Sequence, residues 1–252
     1  MGEENYNLVT YGDSGQADRR RQRLDLVRNC PIPDGELLLN MGLFLVPQTL
    51  SRILFMDFLY RQILDVQGIV MDFGCRWGQN ALLFTAMRGI YEPFNRLRKV
   101  VAFDTFGGFP GISAEDGNSQ MMSTGSYSVT EGYEQYLAKL LELQEAECPL
   151  EHISKHEICK GDATVEVADY LQRNRETIVA LAYFDFDLYE PTKEVLQAIQ
   201  PRLTRGSVIG FDELNDPDCP GETLAVIEVL GLDRYAIKRF PYNSRTSYLV
   251  VE

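Results

Sequence analysis

Residues 68–80, GIVMDFGCRWGQN, include the turn on which the predicted fold of this chain depends. GIVMDFG is a short apolar run typical of a buried strand, and NALLFTAMRGIY at 80–91 has the apolar spacing of a helix. Gly74 and Gly78 lie between them, where a backbone without side chains lets a ligand approach the helix N-terminus. The stretch therefore predicts the first strand and the first crossover helix of an α/β sheet.

The alternation of strand and helix continues to the C-terminus. Four more runs are strand-like, at 99–104, 156–162, 178–187 and 206–213, and two more are helix-like, at 190–203 and 222–232. The last two strand-like runs, 235–240 and 246–252, are separated by a short PYNSR turn, which is too short for a parallel crossover. We therefore expect a doubly wound, Rossmann-like sheet of seven strands, mostly parallel, with an antiparallel last strand.

Two segments fall outside this alternation. Residues 1–64 predict an N-terminal helical extension packed on the main domain, which spans 65–252. The extension contains an amphipathic helix at 48–65 and a basic run, RRRQR at 19–23, that we interpret as a solvated face or a helix start. Residues 105–156 are too long for a simple connection, and they predict a lid insertion whose mobile part is 123–136.

The composition limits the partners of the chain. With 37 acidic and 24 basic residues among 252, its formal charge is −13, which disfavours nucleic acid and anionic membranes as partners. Five scattered cysteines suggest neither a disulfide framework nor a zinc site. The longest apolar stretch, near 41–60, is interrupted by Pro47, Arg52 and Asp57. We expect a cytoplasmic protein that acts on a small molecule. The composition is compatible with either a monomer or a homo-oligomer.

The turn at 72–80 differs from the common phosphate-binding loops. It lacks both GxGxxG and the Gly-Lys-Ser/Thr of a P-loop, and has instead an acid, Asp72, followed by GxxxG. Asp104 ends the second predicted strand, where one carboxylate can accept hydrogen bonds from both hydroxyls of a ribose. Asp162, after the third strand, is suited either to an exocyclic amine or to capping the next helix.

Acidic residues also end the fourth and fifth predicted strands. Asp185 and Asp187 follow the fourth strand, and Asp212 and Glu213 follow the fifth. Carboxylates gathered at one sheet edge repel one another unless a cation joins them, and oxygen-only ligands favour Mg²⁺ or Ca²⁺. Some of these acids could instead cap helices, and Asp187 is the one that we interpret as structural.

Two stretches of the sequence resemble the macrocin O-methyltransferase family. They are DFDLYEPT…PRLTRGSVIGFDE, from Asp185 to Glu213, and VVAFDTFGGFP at 100–110, and the similarity extends over about 65–252. The resemblance implies a class I fold, the cofactor S-adenosylmethionine and a divalent cation such as Mg²⁺ held by Asp185, Asp212 and Glu213. It implies cofactor contacts from the loops after the first four strands, namely Asp72, Gly74, Trp77, Gly78, Asp104, Thr105, Asp162, Ala163 and Asp185.

The resemblance also implies the reaction, in which Asp185 takes the proton of a sugar hydroxyl as that oxygen is methylated. The sequence departs from the family pattern at Gln79, Phe186 and Glu213, where the family has Gly, Gly and Asp. His152 and His156 are expected on a solvated helix face. Other functions weighed are N-methylation of an amine or guanidine, a non-catalytic binding module, an NAD-dependent oxidoreductase and a DxD-type phosphatase.

Overall fold

The strands form one sheet in the computed structural model, which describes residue 12 and residues 15–252. They are β1 (Ile69–Phe73), β2 (Val100–Asp104), β3 (His156–Lys160), β4 (Val179–Phe184), β5 (Leu203–Phe211), β6 (Lys238–Arg239) and β7 (Ser247–Val250). Their order across the sheet is β3-β2-β1-β4-β5-β7-β6. The strands from β1 to β5 pair in parallel, while β7 runs antiparallel to both β5 and β6. The predicted seven-stranded, mostly parallel sheet is confirmed.

The helices cover both faces of this sheet. They are α1 (Gln16–Arg28), α2 (Asp34–Leu37), α3 (Pro47–Gln62), α4 (Gln79–Tyr91), α5 (Tyr133–Ala146), α6 (Ala163–Arg173), α7 (Tyr189–Ile199) and α8 (Gly221–Val229). Short 3₁₀ helices lie at Leu38–Phe44, Ala114–Asp116 and Gln200–Arg202. One apolar core lies between the sheet and α6, α7 and α8, and the second lies between the sheet and α3, α4 and α5. Because both faces are covered, every residue of the central strand β4 is buried.

The N-terminal extension predicted at 1–64 has two different parts. Helix α3 packs on the sheet through Phe55, Met56 and Leu59, all with no exposed surface. Helix α1, which contains the basic run at 19–23, buries no residue. Within the described part of the extension, the residues buried in the core therefore lie in α3 and at Ile63 directly after it.

No single helix in the described part of the chain is long and apolar enough to cross a membrane. The pair Asp34–Phe44 and Pro47–Gln62 has sufficient length and apolar composition together, but it is bent by 92°.

A buried ionic cluster fixes the helix of the lid insertion to the body. Glu145 of α5 accepts a hydrogen bond of 2.6 Å from Arg88 of α4, and its other oxygen lies 2.6 Å from Nδ1 of His156. His156 begins strand β3 and His152 lies in the turn before it, so the expected helix face is wrong, although His152 is exposed to solvent. The pairing holds one end of α5 while the preceding loop crosses the sheet edge.

Candidate active site

The loops after β1, β2, β3, β4 and β5 meet at one sheet edge and enclose a cavity of about 390 Å³. This position follows from the fold, because the sheet order reverses between β1 and β4 and leaves a crevice beyond their carboxyl ends. Most of the residues singled out in the sequence line this cavity, namely Gly74, Trp77, Asp104, Thr105, Asp162, Ala163, Asp185, Asp212 and Glu213.

The two glycines of the first loop are required for different reasons. Gly74 and Gly78 both have left-handed backbones, with φ of +78° and +74°. A Cβ on Gly74 would collide with the main-chain oxygen of Asp185. The absence of a side chain at Gly74 therefore lets the ends of β1 and β4 approach closely. A Cβ on Gly78 would collide with the side chain of Leu137 on α5. Gly78 was predicted to admit a ligand, but the space that it leaves is filled by the lid helix.

Asp104 is held rigidly at the end of β2. Its two oxygens accept hydrogen bonds from the backbone amides of Arg76, at 2.7 Å, and Phe106, at 2.6 Å. Burial raises the pKa of Asp104, although these hydrogen bonds oppose the shift. Each carboxylate oxygen has a second lone pair, so the fixed carboxylate retains the capacity to accept from two hydroxyls.

Asp162 both caps a helix and lines the cavity. It is the N-cap of α6 and accepts from the amide and the hydroxyl of Thr164, at 3.0 and 2.8 Å. The adjacent Ala163 also lines the cavity. The two alternatives left open for Asp162 are therefore compatible.

Asp72, like Gly78, is a predicted cofactor residue that does not line the cavity. Its side chain is wholly buried, and burial raises its pKa to about 7, although the nearby Asn80 side chain and Ala81 amide oppose the shift. A direct contact between Asp72 and a ligand therefore stays a prediction.

The carboxylates at the ends of β4 and β5 form a compact cluster. Oxygens of Asp185, Asp187 and Glu213 all lie within 4.8 Å of one another. Burial raises the pKa of Glu213 well above its ordinary value, and the charges of Asp187 and Asp212 add to the shift. Oε2 of Glu213 is buried without a hydrogen-bond partner. A hard divalent cation fits this oxygen-only donor set because it would satisfy the unpaired oxygen and relieve the repulsion.

Asp187 belongs to this cluster. The sequence interpretation made it a structural residue that could cap the next helix, but it does not cap α7. The N-cap of α7 is Leu188, and the first amide of the helix, that of Tyr189, donates instead to Asp116 of the lid insertion at 2.6 Å. Asp187 itself has a left-handed backbone with φ of 60°, which turns the chain sharply between β4 and α7.

Asp212 points to a different partner from the other acidic residues. Its Oδ1 accepts hydrogen bonds from Arg52, at 2.8 Å, and from the hydroxyl of Tyr183, at 2.6 Å. Burial pushes the pKa of Asp212 upward, but the Arg52 guanidinium, the hydrogen bonds from Glu213 and Tyr183 and the charge of Arg245 together leave the pKa below its ordinary value. Asp212 is therefore paired with protein groups, whereas its predicted role was that of a metal ligand.

Two arginines lie in the site although the sequence analysis did not predict them as site residues. Arg52 of α3 donates to Asp185 at 3.1 Å as well as to Asp212, and the charge of Asp212 raises its pKa. Arg245, from the turn before β7, donates to Glu213 at 2.8 Å. The sequence does contain a sign of the role of Arg52, because this charged residue occupies the apolar helix face that also carries Phe55 and Leu59.

Glu222 was also missed. It is wholly buried at the start of α8 and accepts from the backbone amides of Phe186, at 3.1 Å, and Glu213, at 3.3 Å. Burial raises its pKa. By holding both backbone segments, Glu222 fixes the two acidic strand ends relative to each other.

The insertion predicted to be a lid contacts the glycine loop. Tyr127 lies 4.8 Å from the guanidinium of Arg76, and its carbonyl accepts from Arg76 Nε at 3.2 Å. The hydroxyl of Tyr133 donates to the carbonyl of Trp77 at 3.1 Å, and the two rings meet edge to face at 4.7 Å. The lid therefore contacts the residues that line the cavity.

We expect limited proteolysis to cleave within 123–136 in the free protein and to spare this segment when S-adenosylhomocysteine is bound. The reason is that residues 123–132 precede α5 without regular structure and contact the cavity residues Arg76 and Phe109, which a ligand would order. Cleavage sites can be read by mass spectrometry. Equal cleavage with and without the ligand would identify 123–136 as a passive surface loop.

No protein-family model matches the chain, and no curated protein sequence does. Among solved structures, the calicheamicin methyltransferase CalS11 is 40% identical, with a TM-score of 0.93, and the match covers 99% of this chain and 98% of that one. An apo structure of CalS11, described as a TDP-rhamnose 3′-O-methyltransferase of calicheamicin biosynthesis, is 39% identical, with a TM-score of 0.84 and 96% coverage of both chains.

The O-methyltransferase NovP shares the fold at 15% identity, with a TM-score of 0.56 over 80% of this chain and 79% of its own. The similarity to CalS11 extends along nearly the whole length of both chains, and the cavity combines a methyltransferase-type glycine loop with an acidic sheet edge. The chain therefore belongs to the macrocin O-methyltransferase family and is an S-adenosylmethionine-dependent methyltransferase.

Proposed function

We propose that the chain methylates a hydroxyl group of a sugar in natural-product biosynthesis, with a nucleoside-diphosphate-linked deoxysugar as the acceptor class. The name of CalS11 supports this substrate class, because that relative is a TDP-rhamnose 3′-O-methyltransferase. The observation that carries the proposal is the cluster of Asp185, Asp187 and Glu213, which faces the same cavity as the glycine loop. A methyl donor and an ionisable acceptor group can therefore be held side by side.

In this proposal, residues at one end of the cavity bind the cofactor and residues at the other end act on the acceptor hydroxyl. Asp104 would hold the ribose hydroxyls, and Asp162 the adenine edge. When bound, S-adenosylmethionine supplies an electrophilic methyl group, which the acceptor oxygen takes with release of S-adenosylhomocysteine. Asp185 accepts the hydroxyl proton, and Arg52 fixes the orientation of its carboxylate at 3.1 Å. The lid excludes water from the cavity.

The proposal includes a divalent cation held by the acidic edge. Asp185 and Glu213 were predicted as ligands from the sequence, and oxygens of both lie within 4.8 Å of an oxygen of Asp187, which is the third candidate. Asp212 would have to release Arg52 to join them. Such a cation would supply Lewis acidity that lowers the pKa of the acceptor hydroxyl. Comparing Mg²⁺ affinity in Asp187→Asn and Asp212→Asn identifies the third ligand, because the larger loss marks it.

The experiment that tests the proposed function is an acceptor panel with S-adenosylmethionine and Mg²⁺. It contains a TDP-linked deoxysugar, the free sugar, a phenol and an amine, and it measures the mass of each product and the S-adenosylhomocysteine formed. We expect the nucleotide-linked sugar alone to gain the mass of one methylene group. Methylation of the amine or the phenol, with none of the sugars, would overturn the proposed acceptor class.

Replacing Asp104 by Ala is expected to weaken S-adenosylhomocysteine binding by about 1–3 kcal/mol, the cost of leaving buried polar partners unpaired. The physical reason is that the carboxylate fixed by Arg76 and Phe106 is the acceptor proposed for the ribose. Isothermal titration calorimetry measures the change, with Asp169→Ala on the exposed face of α6 as the matched control. Saturable binding of NADH, but not of S-adenosylhomocysteine, would contradict the assignment of the cofactor.

A further inference from the structure

Tyr127, in the insertion before α5, lines the same cavity as the acidic cluster. The guanidinium of Arg76, from the glycine loop, lies 4.8 Å from the centre of the Tyr127 ring. Burial raises the pKa of the Tyr127 phenol, and the charges of Asp187 and Glu213 add to the shift. Tyr127 therefore lies between the glycine loop and the acidic strand ends, where cofactor and acceptor would meet.

The backbone of the insertion imposes this position on Tyr127. Its backbone is left-handed, with φ of +64°, which is uncommon for a residue with a large side chain. Directly before it, the carbonyl of Ser126 accepts from the amide of Phe109 at 3.0 Å, and the amide of Gly125 donates to the carbonyl of Phe109 at 2.9 Å. A Cβ on Gly108 would collide with the carbonyl oxygens of Ser126 and Gly125, so a glycine is required there. Strained residues that the surrounding structure holds in place concentrate at functional sites.

The hydroxyl of Tyr127 has a weak hydrogen-bond partner. It donates to the thioether sulfur of Met121 at 3.3 Å, and a thioether is a weaker acceptor than a hydroxyl oxygen. Because its pKa is raised, the phenol stays protonated at neutral pH and remains a donor. A ligand oxygen in the cavity can therefore take this hydrogen bond from Met121 with a net gain.

We propose that the Tyr127 hydroxyl donates a hydrogen bond to a non-reacting hydroxyl of the acceptor sugar and contributes to acceptor specificity. The inference rests on the proposed function, because it requires an acceptor with several hydroxyl groups beside the acidic cluster. A sugar presents such hydroxyls next to the one that is methylated, whereas a simple phenol or amine does not. The site would discriminate against an acceptor that lacks this hydroxyl, because the donor would then return to the weaker thioether.

The test compares Tyr127→Phe with the unmodified protein, with a TDP-linked deoxysugar as the acceptor. Phe retains the ring beside Arg76 and Phe109 and removes only the hydroxyl. We expect kcat/KM for the sugar to fall by about three- to tenfold through a higher KM, the effect of losing one neutral hydrogen bond. Affinity for S-adenosylhomocysteine, measured by calorimetry, should be unchanged. Tyr136→Phe makes the same change on α5, where Tyr136 is 60% exposed, and should behave like the unmodified protein.

Acceptor analogues identify the partner of the Tyr127 hydroxyl. TDP-linked sugars that each lack one non-reacting hydroxyl are compared on the unmodified and the Tyr127→Phe proteins. We expect one analogue on which the two proteins have the same kcat/KM, because the hydrogen bond is then already absent.

Equal kcat/KM of the two proteins on the complete sugar would overturn the proposal, as would the same loss on every analogue. Weaker S-adenosylhomocysteine binding in Tyr127→Phe would assign the hydroxyl to the cofactor instead. A loss of equal size in Met121→Leu would assign it to holding the insertion together. Methylation of no sugar by the unmodified protein would overturn both this proposal and the proposed function, whereas sugar methylation that Tyr127→Phe leaves unchanged would overturn this proposal alone.

Discussion

Replacing Asp185 by Asn is expected to lower kcat by about 10²–10⁴-fold, the usual contribution of a positioned general base. Asn retains the shape of the side chain and one oxygen, but it cannot accept the hydroxyl proton. Affinity for S-adenosylhomocysteine should change little, because Asp104 and Asp162 at the other end of the cavity are untouched. Steady-state turnover and calorimetric titration of the cofactor product measure the two quantities separately.

Asp169→Asn is the control for this substitution, since it makes the same chemical change on an exposed helix face. Its turnover should equal that of the unmodified protein. An Asp185→Asn protein with near-normal kcat would show that another group takes the proton, and the proposed mechanism would then fail.

Replacing Arg52 by Met is expected to lower the free energy of unfolding by about 2–4 kcal/mol in the absence of divalent cations. Breaking a buried pair costs about 3–5 kcal/mol because it leaves an uncompensated charge, and partial exposure reduces that cost. Arg52 faces two carboxylates, those of Asp185 and Asp212, and 27% of its side chain is exposed. Urea denaturation in EDTA measures the loss, and Mg²⁺ should recover part of it by neutralising Asp185.

Arg61→Met on the same helix provides the comparison. The Arg61 side chain is 64% exposed and lies 3.9 Å from Asp57, so its loss should cost no more than about 0.5 kcal/mol. Equal stability of the Arg52→Met and Arg61→Met proteins in EDTA would mean that Arg52 does not neutralise the acidic edge.

The sheet was predictable because each parallel strand is a short apolar run followed by a polar turn. β4 illustrates this, since VALAYF is buried on both faces and its end places Asp185 at the sheet edge. The same rule placed Asp212 and Glu213 beside it. The antiparallel pairing of β7 followed from the short turn that precedes it.

The pairing of individual side chains could not be predicted in the same way. A strand would place Asp185 and Asp187 on the same face, but β4 ends at Phe184 and the backbone of Asp187 is left-handed, so the turn brings its carboxylate into the cluster with Glu213. Arg52 reaches the site from a helix 133 residues away in sequence, and no local pattern records such a contact. Sequence patterns locate the ends of strands, whereas the choice of partner depends on tertiary packing.

The most direct test of a cation-assisted methyl transfer at this acidic edge is turnover of the EDTA-treated protein with increasing Mg²⁺. The structure provides Asp185, Asp187 and the unpaired Oε2 of Glu213 as the oxygen donors. We expect no methylated sugar in EDTA, full recovery with Mg²⁺, and a higher Mg²⁺ requirement for Glu213→Gln than for the family-like Glu213→Asp. Full turnover in excess EDTA would contradict the account.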